Sequence, residues 1–240
     1  MITLSFILFS LSETVIKADS FFWSMNYDSA KVYYTKALIE DSTSYYDVHW
    51  KLARLYCNIG DVLNKKDNTE SMYDMALKHA DEAISEDSTR YEGYVWKSAA
   101  LGDKALFLGG KKKIEYAFLV KDNAEKALRL NPQCALCYFI LGEYQREAAT
   151  LGSILRRLAK TLYGKVPEGT LDSSLVLLSK AIKLDSTEIK YYLGRGKTYM
   201  KMKAYDLAKK DFNRVLSLKE KYQVDRKYKK EARYFLKKLK

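Results

Sequence analysis

Lys36-Ala37-Leu38-Ile39-Glu40-Asp41-Ser42 is a phrase that the chain repeats. It returns as Glu82-Ala83-Ile84-Ser85-Glu86-Asp87-Ser88, as Lys126-Ala127-Leu128-Arg129-Leu130-Asn131-Pro132 and as Lys180-Ala181-Ile182-Lys183-Leu184-Asp185-Ser186. A degraded copy follows at Arg214-Val215-Leu216-Ser217-Leu218-Lys219. Each copy ends an apolar run of helical period and stops on or near a polar turn residue. That pattern reads as a helix end followed by the N-cap of the next helix. The alanine lets a neighbouring helix approach closely. Recurrence of one phrase predicts stacked helical hairpins, that is, an all-α solenoid.

Working outward from the phrase, five hairpins follow in order. The first pairs 13–25 with 27–41, with Asn26 at the turn and Ala30, Tyr34 and Ala37 on one face. The second pairs 45–58 with 71–86 across a long polar loop, 60–69, and carries the stripe Ala76, Ala80 and Ala83. The third pairs 91–108 with 111–130 around Gly109-Gly110. The fourth runs from 133 to 149, then through an extra segment, 151–163, which Gly164, Pro167 and Gly169 stop before the partner helix 171–184. The fifth pairs 188–202 with 205–218, and a last helix, 224–239, would cover the final apolar face, as a solenoid requires. The repeat domain is thus expected over 13–220, with a basic capping helix in 221–240.

The bulk numbers agree with this reading. The 240 residues suit one large domain or a short solenoid, 48% of them are hydrophobic, and two prolines with eleven glycines argue against disorder and an all-β fold. Net charge is +12, and residues 219–240 hold ten Lys/Arg against three Asp/Glu. Such a surface attracts acidic proteins, anionic lipid heads or nucleic acid without choosing among them. It also serves simply to keep a protein in solution. No recognition motif supports nucleic acid. Residues 1–12 resemble the apolar region of an export signal with Ser10-Leu11-Ser12 as a cleavage site, although the positive start of such a signal is absent. The expectation is export, to a bacterial periplasm or envelope. A first core helix in a cytoplasmic protein is the alternative.

Three cysteines cannot all pair within one chain. Cys134 and Cys137 form a C-x-x-C, but no βαβ pattern surrounds it and no second pair completes a zinc site. Buried thiols are expected, with a local disulfide as the alternative.

The fifth hairpin follows the tetratricopeptide repeat pattern: Gly196, Tyr199, Ala208 and Phe212 fall where that repeat has its Gly, Tyr, Ala and Phe. Elsewhere the phrases at Lys36, Glu82, Lys126 and Lys180 are spaced well beyond the roughly 34 residues of a plain repeat. From Trp50 to the C-terminus, about four fifths of the chain, the sequence resembles the regulator of microtubule dynamics family, animal proteins with bacterial relatives. The resemblance rests on Trp50-Lys51-Leu52-Ala53-Arg54, Trp96, the run from Ile114 to Pro132, Leu141-Gly142-Glu143-Tyr144 and Gly196-Lys197-Thr198-Tyr199-Met200-Lys201. Its most specific stretch is Arg156-Arg157-Leu158-Ala159-Lys160-Thr161-Leu162-Tyr163-Gly164-Lys165-Val166-Pro167, placed between the two helices of a repeat. The resemblance implies a non-catalytic scaffold that brings no catalytic residues or cofactor. Animal members are associated with microtubules, and one with membrane contacts and phospholipid binding.

Enzyme motifs fail on inspection. Gly196-Lys197-Thr198 mimics the end of a phosphate-binding loop, but the required first glycine is Tyr191 and no strand precedes it. His49 and His79 are read as ordinary helix-face residues of different repeats, with no metal-site spacing. Glu82 and Glu86 share a helix face without making an acid–base pair. No metal site and no cofactor are expected.

Binding chemistry is more legible. Aligning the hairpins on Ala53, Ala99, Gly142 and Gly196 puts Trp50, Trp96, Phe139 and Leu193 in one row. By analogy with tetratricopeptide repeats, that row faces the groove. Lys51, Lys97, Arg54 and Lys197 flank it. Two readings stand: the tryptophans pack between hairpins, or the row is open to a ligand with an apolar body and an anionic end. On the second reading, Trp50, Lys51, Arg54, Trp96, Lys97, Phe139 and Lys197 form the site. A second basic cluster, Arg156, Arg157 and Lys160, either anchors the extra segment or offers an anion site. The function expected is a scaffold or adaptor that holds a protein segment in its groove, acidic in character. A module carrying an anionic lipid in the same groove is the alternative.

Overall fold

The computed structural model describes residues 12–40, 45–63 and 66–239, and the signal-like stretch lies almost wholly outside them. Among the described residues there are twelve helices and no strand: α1 (Glu13–Trp23), α2 (Tyr27–Glu40), α3 (Tyr45–Val62), α4 (Lys66–Glu86), α5 (Glu92–Leu108), α6 (Gly110–Leu130), α7 (Ala135–Ala149), α8 (Ser153–Tyr163), α9 (Leu171–Leu184), α10 (Ile189–Lys201), α11 (Tyr205–Ser217) and α12 (Asp225–Lys238). They pack as α1/α2, α3/α4, α5/α6, α7/α9 and α10/α11 hairpins, with α8 set aside between α7 and α9 against α6, and α12 laid on α10 and α11. The first helices touch in series, α3 to α5, α5 to α7 and α7 to α10, and so build one continuous side of the stack. This is a tetratricopeptide-like α-solenoid.

The repeated phrase works as its chemistry suggests, with one correction. Its alanines, Ala37, Ala83, Ala127 and Ala181, are fully buried, so each marks a helix-to-helix contact. Its Asp or Asn caps the turn between hairpins, however, and not the next helix. Asp87, Asn131 and Asp185 each accept the backbone N–H two residues on, from Thr89 at 2.9 Å, Gln133 at 3.0 Å and Thr187 at 2.9 Å. A short carboxylate or amide reaches its own turn more readily than a helix three residues away.

The 60–69 loop of the second hairpin is shorter than its polarity suggests, because α3 runs on to Val62 and α4 starts at Lys66. Gly60 lies within the extension and leaves room for a ring of α4. A Cβ there would lie 2.7 Å from the Tyr73 ring. Its absence lets Tyr73 bury itself and donate its hydroxyl to Asp61 Oδ1 at 3.0 Å. Cys134 and Cys137, expected as free thiols, form a disulfide at the start of α7, and Cys57 is a buried free thiol.

The two ends of the solenoid meet. After α11 the chain crosses back to the first hairpin. Tyr222 packs against Phe22 and Trp23, with ring centroids 6.2 and 6.0 Å apart. Gln223 Nε2 donates to the Met25 carbonyl at 2.7 Å, its backbone N–H donates to the Tyr27 hydroxyl at 3.3 Å, and Lys227 Nζ donates to the Asp61 carbonyl at 3.3 Å.

Candidate functional site

The first helices curve around a cavity of about 250 Å³, and the returning C-terminal segment lines one side of it. Its walls are mostly apolar. Trp96 and Leu106 come from α5, Ile114 and Val120 from α6, Phe139 and Ile140 from α7, Leu193 from α10, and Tyr222, Val224 and Tyr228 from the return. Three of the four positions in the expected row, Trp96, Phe139 and Leu193, are therefore on the cavity wall. Lys197 also lines it, paired with Glu231 at 2.7 Å.

Trp50, Lys51 and Arg54 lie elsewhere. Lys51 and Arg54 are only 5% and 7% exposed. Lys51 Nζ and Arg54 Nη2 both pair with Asp19 of α1, and Tyr34 donates its hydroxyl to the same carboxylate. The Arg54 guanidinium lies 3.9 Å from the Phe22 ring centroid and 5.2 Å from that of Trp50, whose indole N–H donates to Asp47 at 2.9 Å. These groups join the second hairpin to the first, because Asp19 gives two buried cations a shared counter-ion that desolvation makes necessary. Lys97 pairs with Asp81 at 2.6 Å and lines no part of the cavity.

The second basic cluster divides. Arg156 donates to the carbonyls of Leu151 and Ala148 at 3.0 and 2.9 Å and so closes the end of α7. Arg157 and Lys160 stand on α8 away from that clamp, with Lys160 exposed. The histidines, by contrast, share one hairpin. His49 on α3 and His79 on α4 bring their Nδ1 atoms to 3.0 Å, and Tyr56 stacks on His79. Burial, and then the proximity of His49, push the His79 pKa down to about 4. Among the described residues, no group of three or more His, Cys, Asp or Glu is placed to hold a metal ion.

Sequence reasoning missed the cavity's carboxylates. Asp61 of α3, Asp103 of α5 and Lys190 of α10 all line the same space. Burial raises both acids, Asp61 to about 6 and Asp103 well above the ordinary range, where Asp61 is the next cause. No local motif marks either residue, since they meet only through the curvature of the stack.

The profile described as regulator of microtubule dynamics protein 1-3 matches residues 14–240. Regulator of microtubule dynamics protein 1 of Bos taurus is 33% identical over 109 residues, covering 45% of this chain and 34% of that protein. Regulator of microtubule dynamics protein 3 of Xenopus laevis is 29% identical over 132 residues, covering 55% of this chain and 28% of its own. The aligned stretch thus spans about a third of the length of these relatives. Among solved structures, a thermophilic tetratricopeptide repeat protein of Thermus thermophilus superposes with a TM-score of 0.65 over 93% of this chain and 97% of that one, at 17% identity.

Proposed function

Because the chain belongs to the regulator of microtubule dynamics protein 1-3 family, we propose that it is a non-catalytic scaffold whose concave cavity receives an apolar anchor from a segment of a partner protein. The cavity carries this reading: it is walled by Trp96, Phe139 and Leu193 and sits on the side formed by the first helices. Its 250 Å³ falls just below the roughly 300 Å³ at which drug-sized pockets begin. That size suits a side chain or a chain end. The net charge of +12, with Arg157 and Lys160 together on α8, favours a partner that is acidic outside the anchored segment.

A second reading uses the same cavity for the end of a lipid acyl chain, and the further apolar lining from Tyr222, Val224 and Tyr228 favours it. A photocrosslinking phenylalanine analogue at Phe139, expressed in the native host, separates the two. Protein adducts mapped to one apolar segment support the scaffold. A phospholipid seen by native mass spectrometry of gently purified protein, without protein adducts, supports the lipid reading. Absence of both overturns the cavity as a ligand site.

A further inference from the structure

Inside the cavity the charges do not balance as they do elsewhere in the molecule. Glu143 and Glu147 are both held by Arg146, and Glu147 also by Lys113 of α6. Lys197 has Glu231. Asp103 has neither a hydrogen bond nor an ion pair among the described residues. Asp61 has only the Tyr73 hydroxyl, since Lys227 bonds its backbone carbonyl and not its carboxylate. Lys190, the nearby cation, stands over the Phe139 and Tyr222 rings at 5.6 and 6.0 Å from their centroids, beyond ion-pair distance of either acid. A partly open, mostly apolar cavity thus carries two carboxylates that no ion pair engages among the described residues, with Lys190 held aside on the rings.

Building on the reading of this cavity as a ligand site, we propose that it selects an alkylammonium: an apolar chain seated against Trp96, Phe139 and Leu193, with its ammonium between Asp61 and Asp103. An ammonium has three donors and no acceptor, so it can satisfy two carboxylates at once. Buried charges are costly until paired, and the pair gains most where water is excluded. Burial is the main cause of the raised proton affinity of both acids, and Lys190 and Lys227 offset it only in part. A carboxylate or phosphate end would meet these acids and be repelled. The chamber therefore has the opposite preference from the basic outer surface. Lysine side chains on an apolar protein segment and amine-bearing amphiphiles share this chemistry.

Calorimetric titration with n-octylamine, n-octanol and octanoate at pH 7.5 tests the proposal. Octylamine is expected to bind at least tenfold more tightly than octanol, and octanoate more weakly than either. Asp103→Asn, a near-isosteric change, is expected to erase the amine preference and leave octanol binding in place. An acetylated Leu-Lys-Leu amide run in parallel separates the sources: tighter, Asp103-dependent binding than octylamine assigns the ammonium to a protein segment, and weaker binding assigns it to an amphiphile. Equal affinity for amine and alcohol, or a preference that survives Asp103→Asn, overturns the proposal while leaving the cavity a ligand site. No binding by any of the probes overturns both.

Discussion

At the scale of single residues, the fold depends on a few positions where size or charge is fully determined. Gly196 is one. A Cβ there would lie 2.6 Å from the ring of Phe212, which is fully buried and stacked on Phe235. Gly196→Ala is therefore expected to cost about 1–3 kcal/mol by overpacking, read as a lower urea midpoint at unchanged slope. Asp19 is another. Without it, Lys51 and Arg54 are left as buried, unpaired cations. Asp19→Ala should lower stability by about 3–5 kcal/mol in the same measurement, and a loss under 1 kcal/mol would show that the cluster is solvated. Gly196 and Phe212 are legible in the sequence because their motif is local. The role of Lys51 and Arg54 is not, because their carboxylate lies a whole hairpin away. A cation beside a tryptophan looks the same in sequence whether it is open or paired.

At the scale of elements, the hairpins are readable from alanine spacing, while the contacts between their helices are not. The α3/α4 hairpin carries the clearest pH signal. His79 has an ordinary value of 6.5 and a folded value of about 4, so the unfolded chain binds its proton more tightly. Stability is therefore held above pH 6.5 and is lost as pH falls from there towards 4, by up to about 3 kcal/mol. Thermal melts between pH 7.5 and 4.5 should show this loss, and His79→Gln should flatten it. The extra element, α8, is marked in the sequence by its flanking glycines and proline. Its first arginine works as a clamp on α7, an assignment that needs the Leu151 and Ala148 carbonyls to be seen.

At the scale of the whole molecule, curvature brings together residues that the linear order keeps apart, and that is why the acidic end of the cavity escapes the sequence. Asp61 and Asp103 oppose the histidine effect. Their folded affinity for protons is raised, so their cost is absent below the ordinary carboxylate pKa of 3.8 and grows as pH rises above it, for Asp61 until about 6. Asp103→Asn should raise Tm by about 2–4 °C at pH 8 for each kcal/mol relieved, with the gain shrinking as pH is lowered towards 4. Access to the cavity can be followed through Cys57, a buried thiol on its wall. Tyr222→Ala removes the ring that packs on Phe22 and Trp23 and should speed labelling of Cys57 by a thiol reagent about tenfold or more. An unchanged rate would place the entrance elsewhere. The meeting of the two ends also sets a schedule for synthesis. Gln223 bonds Met25 across 198 residues. At about 5–20 residues per second, the first hairpin leaves the ribosome some 10–40 s before the segment that covers it exists. Through that interval Phe22 and Trp23 lack the Tyr222 ring that packs on them, and a nascent chain stalled before residue 222 should be the form that holdase chaperones retain.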